Sequence, residues 1–270
     1  MRIGFIGAGK VAQAITKGLI DSGITAAENI IASSPKQDHL LLTQISKLGV
    51  GTTFNNKTVV KESDVVVVCT KPNVVSRVLT EFSSDVSKSH LIISVALGVT
   101  TKTMEKALPK NTRVVRVMPN TPALVRMSAS VYCMGSSVIE TDAETVSKLL
   151  TSFGYCEEIS ESLIDIATGL SGSGPAYVFT AIQSLADGAV KMGMPRDQAL
   201  RLAAYAVMGS AKLVLESGQH PDSLKDDVCS PAGCTIYAMH LLEKRGFRAA
   251  LIDAVEVATL RTKELGDFKV

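Results

Sequence analysis

Two stretches of this 270-residue chain combine residue types that can do chemistry. The first is "GFIGAGKVAQAI", which sets Gly7, Gly9 and Ala12 in a G-x-G-x-x-A spacing. Gly7 permits a tight turn, Gly9 lets the backbone approach a pyrophosphate, and Ala12 allows a helix to pack closely on a strand. A helix start there would aim N–H groups and its positive dipole end at phosphates. The alternative is a glycine-rich turn with no ligand, but the stretch follows a strand pattern and opens a helical one, the context a dinucleotide site requires. The second stretch is "DVCSPAGCTI", residues 227–236, which places Cys229 and Cys234 around a proline and a glycine with no histidine or lysine. It could be a metal clip, a nucleophile, a helix start or a place that holds a substrate.

The end of the second strand bears on which dinucleotide is read. An acid there would hold a ribose 2′-hydroxyl. Here "NIIA" runs into Ser33, Ser34, Pro35 and Lys36, with no acid before Asp38. Two hydroxyls and a lysine suit a 2′-phosphate, so NADPH is the expected cofactor, with NADH as the second choice. A serine–proline turn with a solvated lysine would explain the residues but not the missing acid. "CTKPN", with Lys71 and Pro72, follows the fourth strand, and "SVALGV" follows the fifth. Both fall where a doubly wound sheet keeps its crevice and can line the nicotinamide half, although each could be only a strand-ending turn.

These residues need elements to hold them. Up to about residue 160, strand patterns alternate with helical ones: "RIGFIG", a helix over Ala12–Ser22, "NIIAS", "DVVVVCT", "HLIISVA", "RVVRVMPN" and "ASVYCM". Continuous runs such as "VVVV" and "LIISV" read as strands buried on both faces, and alternating βα units imply a parallel, doubly wound sheet. Beyond about residue 162 strand signals vanish. The expectation is a Rossmann-type α/β domain over residues 1–162 and an all-α domain over residues 163–270. The stretch Gln198–Glu216 is apolar on nearly every face, more than a small helical domain can bury alone, so this half is expected to pack on a second copy of itself.

Composition sets outer limits. Hydrophobic residues make up 46% and charged residues 20%, with a net charge of +2, so nothing argues for a nucleic-acid or membrane partner. No apolar run has membrane-span length, and a strand pattern from residue 2 leaves no room for a leader, so a cytoplasmic protein is expected. Five cysteines without a C-x-x-C pair argue against a disulfide framework or structural zinc, and the four histidines lack ligand spacing.

In order along the chain, "GFIGAG", "CTKP", "VMPNTP", "GLSGSGPAY", "ADGAVKMGMPRDQAL" and "CSPAGCTIYAMHLLE" resemble the pyrroline-5-carboxylate reductase family. The resemblance implies reduction of a small cyclic imine carboxylate to L-proline by NADPH or NADH. It implies a C-terminal helical domain for substrate and dimerisation, and a homodimer, in many members built into a decamer. It carries the dinucleotide contacts onto Ile6, Gly7, Ala8, Gly9, Lys10, Val11, Ser34, Lys36, Asn56, Cys69, Thr70, Lys71, Pro72, Val95, Ala96, Leu97 and Asp227. Substrate contacts fall on Gly233, Cys234, Thr235 and Glu161, with Thr235 as the catalytic candidate.

With a carboxylate in view, Ser230 reads as an N-cap and Pro231 as the first helical residue. Ala232, Gly233 and Cys234 would then offer free N–H groups, and Thr235 a hydroxyl for the ring nitrogen or the carboxylate. The loop departs from the family pattern, where two glycines follow the proline. Ala232 is tolerable if its position is helical, whereas a positive φ there would put substrate affinity in doubt. Cys229 and Cys234 read as small pocket fillers, since no histidine lies nearby to activate a thiolate. A 3-hydroxyacid dehydrogenase is the main rival, but the lysine base it needs after the glycine motif is replaced here by Val178. A non-enzymatic NADP sensor would have no use for the "SPAGCTI" anion site.

Overall fold

The structure, a computed structural model, describes residues 1–267. Eight strands form one sheet: β1 (Ile3–Ile6), β2 (Ile30–Ser33), β3 (Gly51–Thr53), β4 (Val65–Val68), β5 (Leu91–Ser94), β6 (Arg113–Met118), β7 (Ser128–Met134) and β8 (Gly154–Glu158). Twelve helices accompany them: α1 (Lys10–Asp21), α2 (His39–Ser46), α3 (Asn56–Lys61), α4 (Val75–Phe82), α5 (Thr101–Ala107), α6 (Glu140–Thr151), α7 (Glu161–Ala167), α8 (Gly174–Lys191), α9 (Arg196–Ser217), α10 (Pro221–Val228), α11 (Cys234–Lys244) and α12 (Phe247–Asp267). The strand order is β3-β2-β1-β4-β5-β6-β7-β8. Its first six strands are parallel and reverse direction of growth between β1 and β4, which opens a crevice at their carboxyl ends. The α/β sheet is thus of the expected Rossmann type.

One edge is a correction to a purely parallel sheet: β7 runs antiparallel to β6, and β8 then pairs parallel to β7. The reason is the link. Between Met118 and Ser128 the chain makes only a short 3-10 turn, Thr121–Val125, and a parallel return needs a longer crossover. The apolar runs behave as their composition requires. Every residue of β1, β4 and β5 is buried, and the two faces are covered by separate clusters, one around Phe5, Leu19 and Phe153 and one around Val59, Leu79 and Phe82.

The chain divides into two compact units: Met1–Ser173 together with Glu256–Val270, and Gly174–Val255. The second unit contains α8 to α11 and the start of α12, and no strand. Its buried apolar cluster consists of three alanines, Ala186, Ala199 and Ala203, where α8 meets α9. Its large apolar side chains face outward: Met192 is 85% exposed, Leu215 82% and Tyr237 74%. At roughly 25 cal/mol per Å² of apolar area removed from water, three alanines cannot balance the ordering of some eighty residues. Among the described residues no helix is long and apolar enough to cross a membrane.

Candidate functional site

The glycine loop is built where the sequence places it. Gly7 leaves β1 at φ +101°, and a side-chain carbon there would come within 2.6 Å of the Cys69 carbonyl oxygen, so only glycine fits. Gly9 is the N-cap of α1, with φ −70° and ψ −177°, and a side-chain carbon added to it would point into open space. The Gln13 N–H closes the first helical bond on the Gly9 carbonyl, so the N–H groups of Lys10, Val11 and Ala12 have no acceptor within the helix. Bare backbone around an empty approach, at the positive end of a helix, suits a pyrophosphate. Ile6, Ala8 and Ala12 are buried in the core and can offer only backbone, while Lys10 and Val11 are exposed.

Neighbouring strand ends meet this loop in a stepwise ladder. Gly7 N–H donates to Ser33 O at 2.9 Å, Cys69 N–H to Ile6 O at 2.8 Å, and Val95 N–H to Val68 O at 3.1 Å. The expected contacts Cys69–Pro72 and Val95–Leu97 therefore share one edge of the sheet with Gly7. Burial pushes the Cys69 thiol well up, so it stays protonated and unreactive. Among the described residues the buried Thr70 hydroxyl has no hydrogen-bond partner, as a group that meets a ligand would. Lys71 is exposed, and Pro72 starts a short 3-10 turn. Ala96 is buried, its N–H held by the Ser94 hydroxyl at 3.2 Å.

At the ribose-reading position the two serines part company. Ser33 ends β2 fully buried, with its hydroxyl 2.7 Å from Asn56 Oδ1, so it cannot reach a phosphate as the sequence had suggested. Asn56 in turn donates to Glu81 at 3.2 Å and opens α3 beside its cap, Asn55. Ser34 is also buried, and its N–H reaches Thr53 O at 3.4 Å. Lys36 is exposed and, among the described residues, makes no ion pair. At this strand end Lys36 is the exposed polar side chain and both serines are buried.

The "SPAGCTI" loop lies in the helical unit and differs from the expected helix start. Ser230 is not the N-cap; Gly233 is, and α11 begins at Cys234. Pro231 and Ala232 instead form the corners of a turn closed by Gly233 N–H on Ser230 O at 3.0 Å, with Ala232 at φ +55°. Proline followed by a left-handed residue is the type II pattern, whose third position favours glycine. The Gly233 N–H is consumed by this turn, and Ala232 lies before the helix. The donors without helical acceptors are those of Cys234, Thr235 and Ile236. Among the described residues the half-buried Thr235 hydroxyl makes no hydrogen bond within the chain, which argues against a side chain merely tied back to its own helix. A side-chain carbon at Gly233 would strike the Ser230 hydroxyl. Cys234 is exposed rather than a pocket filler, and Cys229 is half-buried. Asp227 is exposed in the last turn of α10.

Glu161 belongs to the nucleotide-binding unit, at the start of α7. Both its oxygens already accept from Thr101, one from the N–H and one from the hydroxyl, each at 2.7 Å. Buried Arg116, 3.5 Å from Glu161 and 2.5 Å from Asp165, completes the network. Cys133 beside it is pushed up to about 11, by burial first and by the Glu161 charge second. A cleft the sequence reading did not assign lies between the first turns of α1 and the segment after β6. Lys10, Val11 and Ala14 form one wall; Pro119, Asn120, Thr121 and Leu124 form the other. The signal available was the position of "PNT" at the carboxyl end of a strand that lines the crevice.

Comparison with known proteins places both parts of the chain. A family model described as pyrroline-5-carboxylate reductase dimerisation matches residues 161–265, and one described as NADP oxidoreductase, coenzyme F420-dependent, matches residues 2–98. Pyrroline-5-carboxylate reductase 2 of Bos taurus is 48% identical over 98% of this chain and 84% of its own. Pyrroline-5-carboxylate reductase 3 of Mus musculus is 47% identical over 98% of this chain and 96% of its own. The crystal structure of a Plasmodium falciparum pyrroline carboxylate reductase with NADP bound superposes with a TM-score of 0.91 at 32% identity, covering 99% of this chain and 98% of that one.

Proposed function

The chain belongs to the pyrroline-5-carboxylate reductase family, and we infer that it reduces 1-pyrroline-5-carboxylate to L-proline with a reduced nicotinamide dinucleotide, the last step of proline synthesis. The observation that carries this reading is the match at 48% identity across 98% of the chain, which spans the glycine loop and the "SPAGCTI" loop together. The residues present fit the cofactor: Gly9 leaves an open approach, and among the described residues the buried Thr70 hydroxyl has no partner. When bound, the dinucleotide supplies the hydride.

The chain's own residues bind and orient. Backbone N–H groups at the start of α1 take the pyrophosphate, and Thr70, Lys71, Val95, Ala96 and Leu97 line the nicotinamide half. Ser34 and Lys36 take the 2′-phosphate, so NADPH is preferred to NADH. At α11 the N–H groups of Cys234, Thr235 and Ile236 grip the substrate carboxylate. The Thr235 hydroxyl faces the ring nitrogen, whose extra proton arrives with the iminium or comes from water through that hydroxyl. The imine carbon gains the hydride, its C=N bond becomes a single bond, and the nitrogen keeps its proton as the amine of proline. Little else is required of side chains, because positioning and charge stabilisation supply most of the barrier reduction. Asp227 and Glu161 serve as supporting contacts to cofactor and substrate.

The working form is a homodimer through the helical unit, whose large apolar side chains face outward, and dimers can associate further into a decamer. Cytoplasmic residence suits this biosynthetic role. The direct test follows NADPH absorbance on mixing enzyme with pyrroline-5-carboxylate, with NADH in parallel. Imine-dependent oxidation with a higher kcat/KM for NADPH is expected. No imine-dependent oxidation with either cofactor refutes the reading.

A further inference from the structure

Asn120 sits two residues past the end of β6, and its side-chain amide is committed in three directions. Its Oδ1 accepts from the Ser128 hydroxyl at 3.0 Å and from the Ala129 N–H at 3.1 Å, and its Nδ2 donates to the Ser171 carbonyl at 3.0 Å. Ser128 is nearly fully buried and shares its hydroxyl with Ser130 at 2.8 Å. The Ser171 carbonyl needs an outside donor for a covalent reason. Its ordinary helical partner would be the N–H of residue 175, which is Pro175 and has none. The helix relaxes there into a π turn over Thr168–Gly172, in which Ser173 N–H reaches back to Thr168 O at 2.9 Å. Ser171 O thus lacks its α-helical donor, and Asn120 supplies one. Gly172 packs beside it on the tip of Met118, the last residue of β6.

The same asparagine opens the wall of the cleft that faces Lys10 and Val11 on α1. β6 belongs to the second mononucleotide half of the sheet. The ribose-reading residues sit on β2, in the first half, so the wall after β6 borders the nicotinamide end. A helix widened by a π turn can relax, and here the amide of Asn120 fixes its position against the wall.

Resting on the reductase reading above, we propose that Asn120 is a positioning residue for hydride transfer: it locks the Pro119–Leu124 wall to the π turn, so that the nicotinamide end of the dinucleotide is held in one pose. The residue touches neither the reacting carbon nor the proton; it acts through the wall.

Asn120→Asp tests this with little change of shape. It keeps the two bonds accepted by Oδ1 and replaces the donor aimed at Ser171 O with an oxygen. Expected are a kcat at least tenfold lower, a KM for the imine within about threefold, and an unchanged Kd for 2′,5′-ADP, which reports only the adenosine half; misplacement of reacting groups by a fraction of an ångström has effects of that size. The emission of bound NADPH should also shift, since the ring environment changes. A kcat within twofold of the parent with unchanged emission overturns the proposal, as does equal weakening of 2′,5′-ADP and NADPH, which marks a general structural defect. If Asn120→Asp does not fold, Ser128→Ala removes one bond to the same amide; a three- to tenfold loss of kcat supports the proposal and an unchanged kcat overturns it. If the parent enzyme itself does not turn over the imine, the reductase reading fails separately. The comparison of NADPH emission and affinity between parent and variant then still decides the role of Asn120.

Discussion

Among the described residues, Ala232 is one of three non-glycine residues, with Asn111 and Arg126, that the backbone holds at positive φ. Its φ of +55° is the left-handed conformation at the third position of a turn that begins at Ser230. A side-chain carbon in that conformation costs roughly 1–2 kcal/mol, which glycine would not incur. Ala232→Gly also frees the unfolded chain, a loss of about 0.4–1 kcal/mol of stability. The balance is a net stabilisation between about zero and 1.6 kcal/mol. For a chain of this size each kcal/mol moves the melting temperature by about 2–4 °C, so a rise of up to about 6 °C is expected. The protomer concentration must be held fixed, since association also shifts the melting point. The turn is closed by a bond within the chain, Gly233 N–H on Ser230 O, which glycine at residue 232 keeps, so the KM for the imine should stay within about threefold or fall. Ala232→Val, a branched side chain at the same φ, should melt lower and raise that KM. A glycine variant that melts several degrees lower, or whose KM rises tenfold, would show that the left-handed turn is not what presents Cys234, Thr235 and Ile236.

Thr235→Val keeps the branch and removes a hydroxyl that makes no bond among the described residues; loss of a hydrogen bond to a charged partner, roughly 1.5–3 kcal/mol, lowers kcat about ten- to a hundredfold if it acts on the ring nitrogen, and a change within twofold in kcat and both KM values removes it from the site. Ser34→Asp sets a negative charge where a 2′-phosphate would lie, so the KM for NADPH should rise at least tenfold more than that for NADH, and equal effects would refute the cofactor assignment. On dilution followed by light scattering, activity and helicity should disappear together with the dimer, because unit Gly174–Val255 buries only three alanines in its own cluster; a folded, fully active monomer contradicts the assembly.

The fold was legible where burial imposes a pattern. "VVVV" and "LIIS" are central strands closed in on both faces and could read as little else. β3, "GTT", and β8, "GYCEE", escaped because they sit at the two edges of the sheet, are largely exposed, and carry no apolar run. The helix start at α11 misled for a different reason. Ser-Pro suits an N-cap and first helical turn, and Pro-Ala-Gly equally suits a type II turn. Local sequence does not decide between them, and the turn moved the helix start three residues on, to Cys234. Ser33 looked available beside Ser34, yet strand alternation sends one hydroxyl inward to Asn56. The hydrogen bonds of Glu161 and Asn120 were invisible to motif reading, since their partners Thr101 and Ser171 lie 60 and 51 residues away.

The nucleotide-binding unit is not finished when its last strand is made. Residues from Glu256 onward return to it, and Gly266 of α12 packs so closely on Gly98, behind β5, that a side-chain carbon at Gly98 would lie 2.8 Å from its backbone. During synthesis on the ribosome the sheet must therefore wait, unsealed at that point, while the whole helical insert is translated. The turns of α12 that carry Gly266 emerge after that insert and close the unit that began first. Truncation within residues 256–267 would then harm cofactor binding by uncovering the Gly98 loop, and nascent chains stalled before Glu256 should be open to proteolysis at that loop.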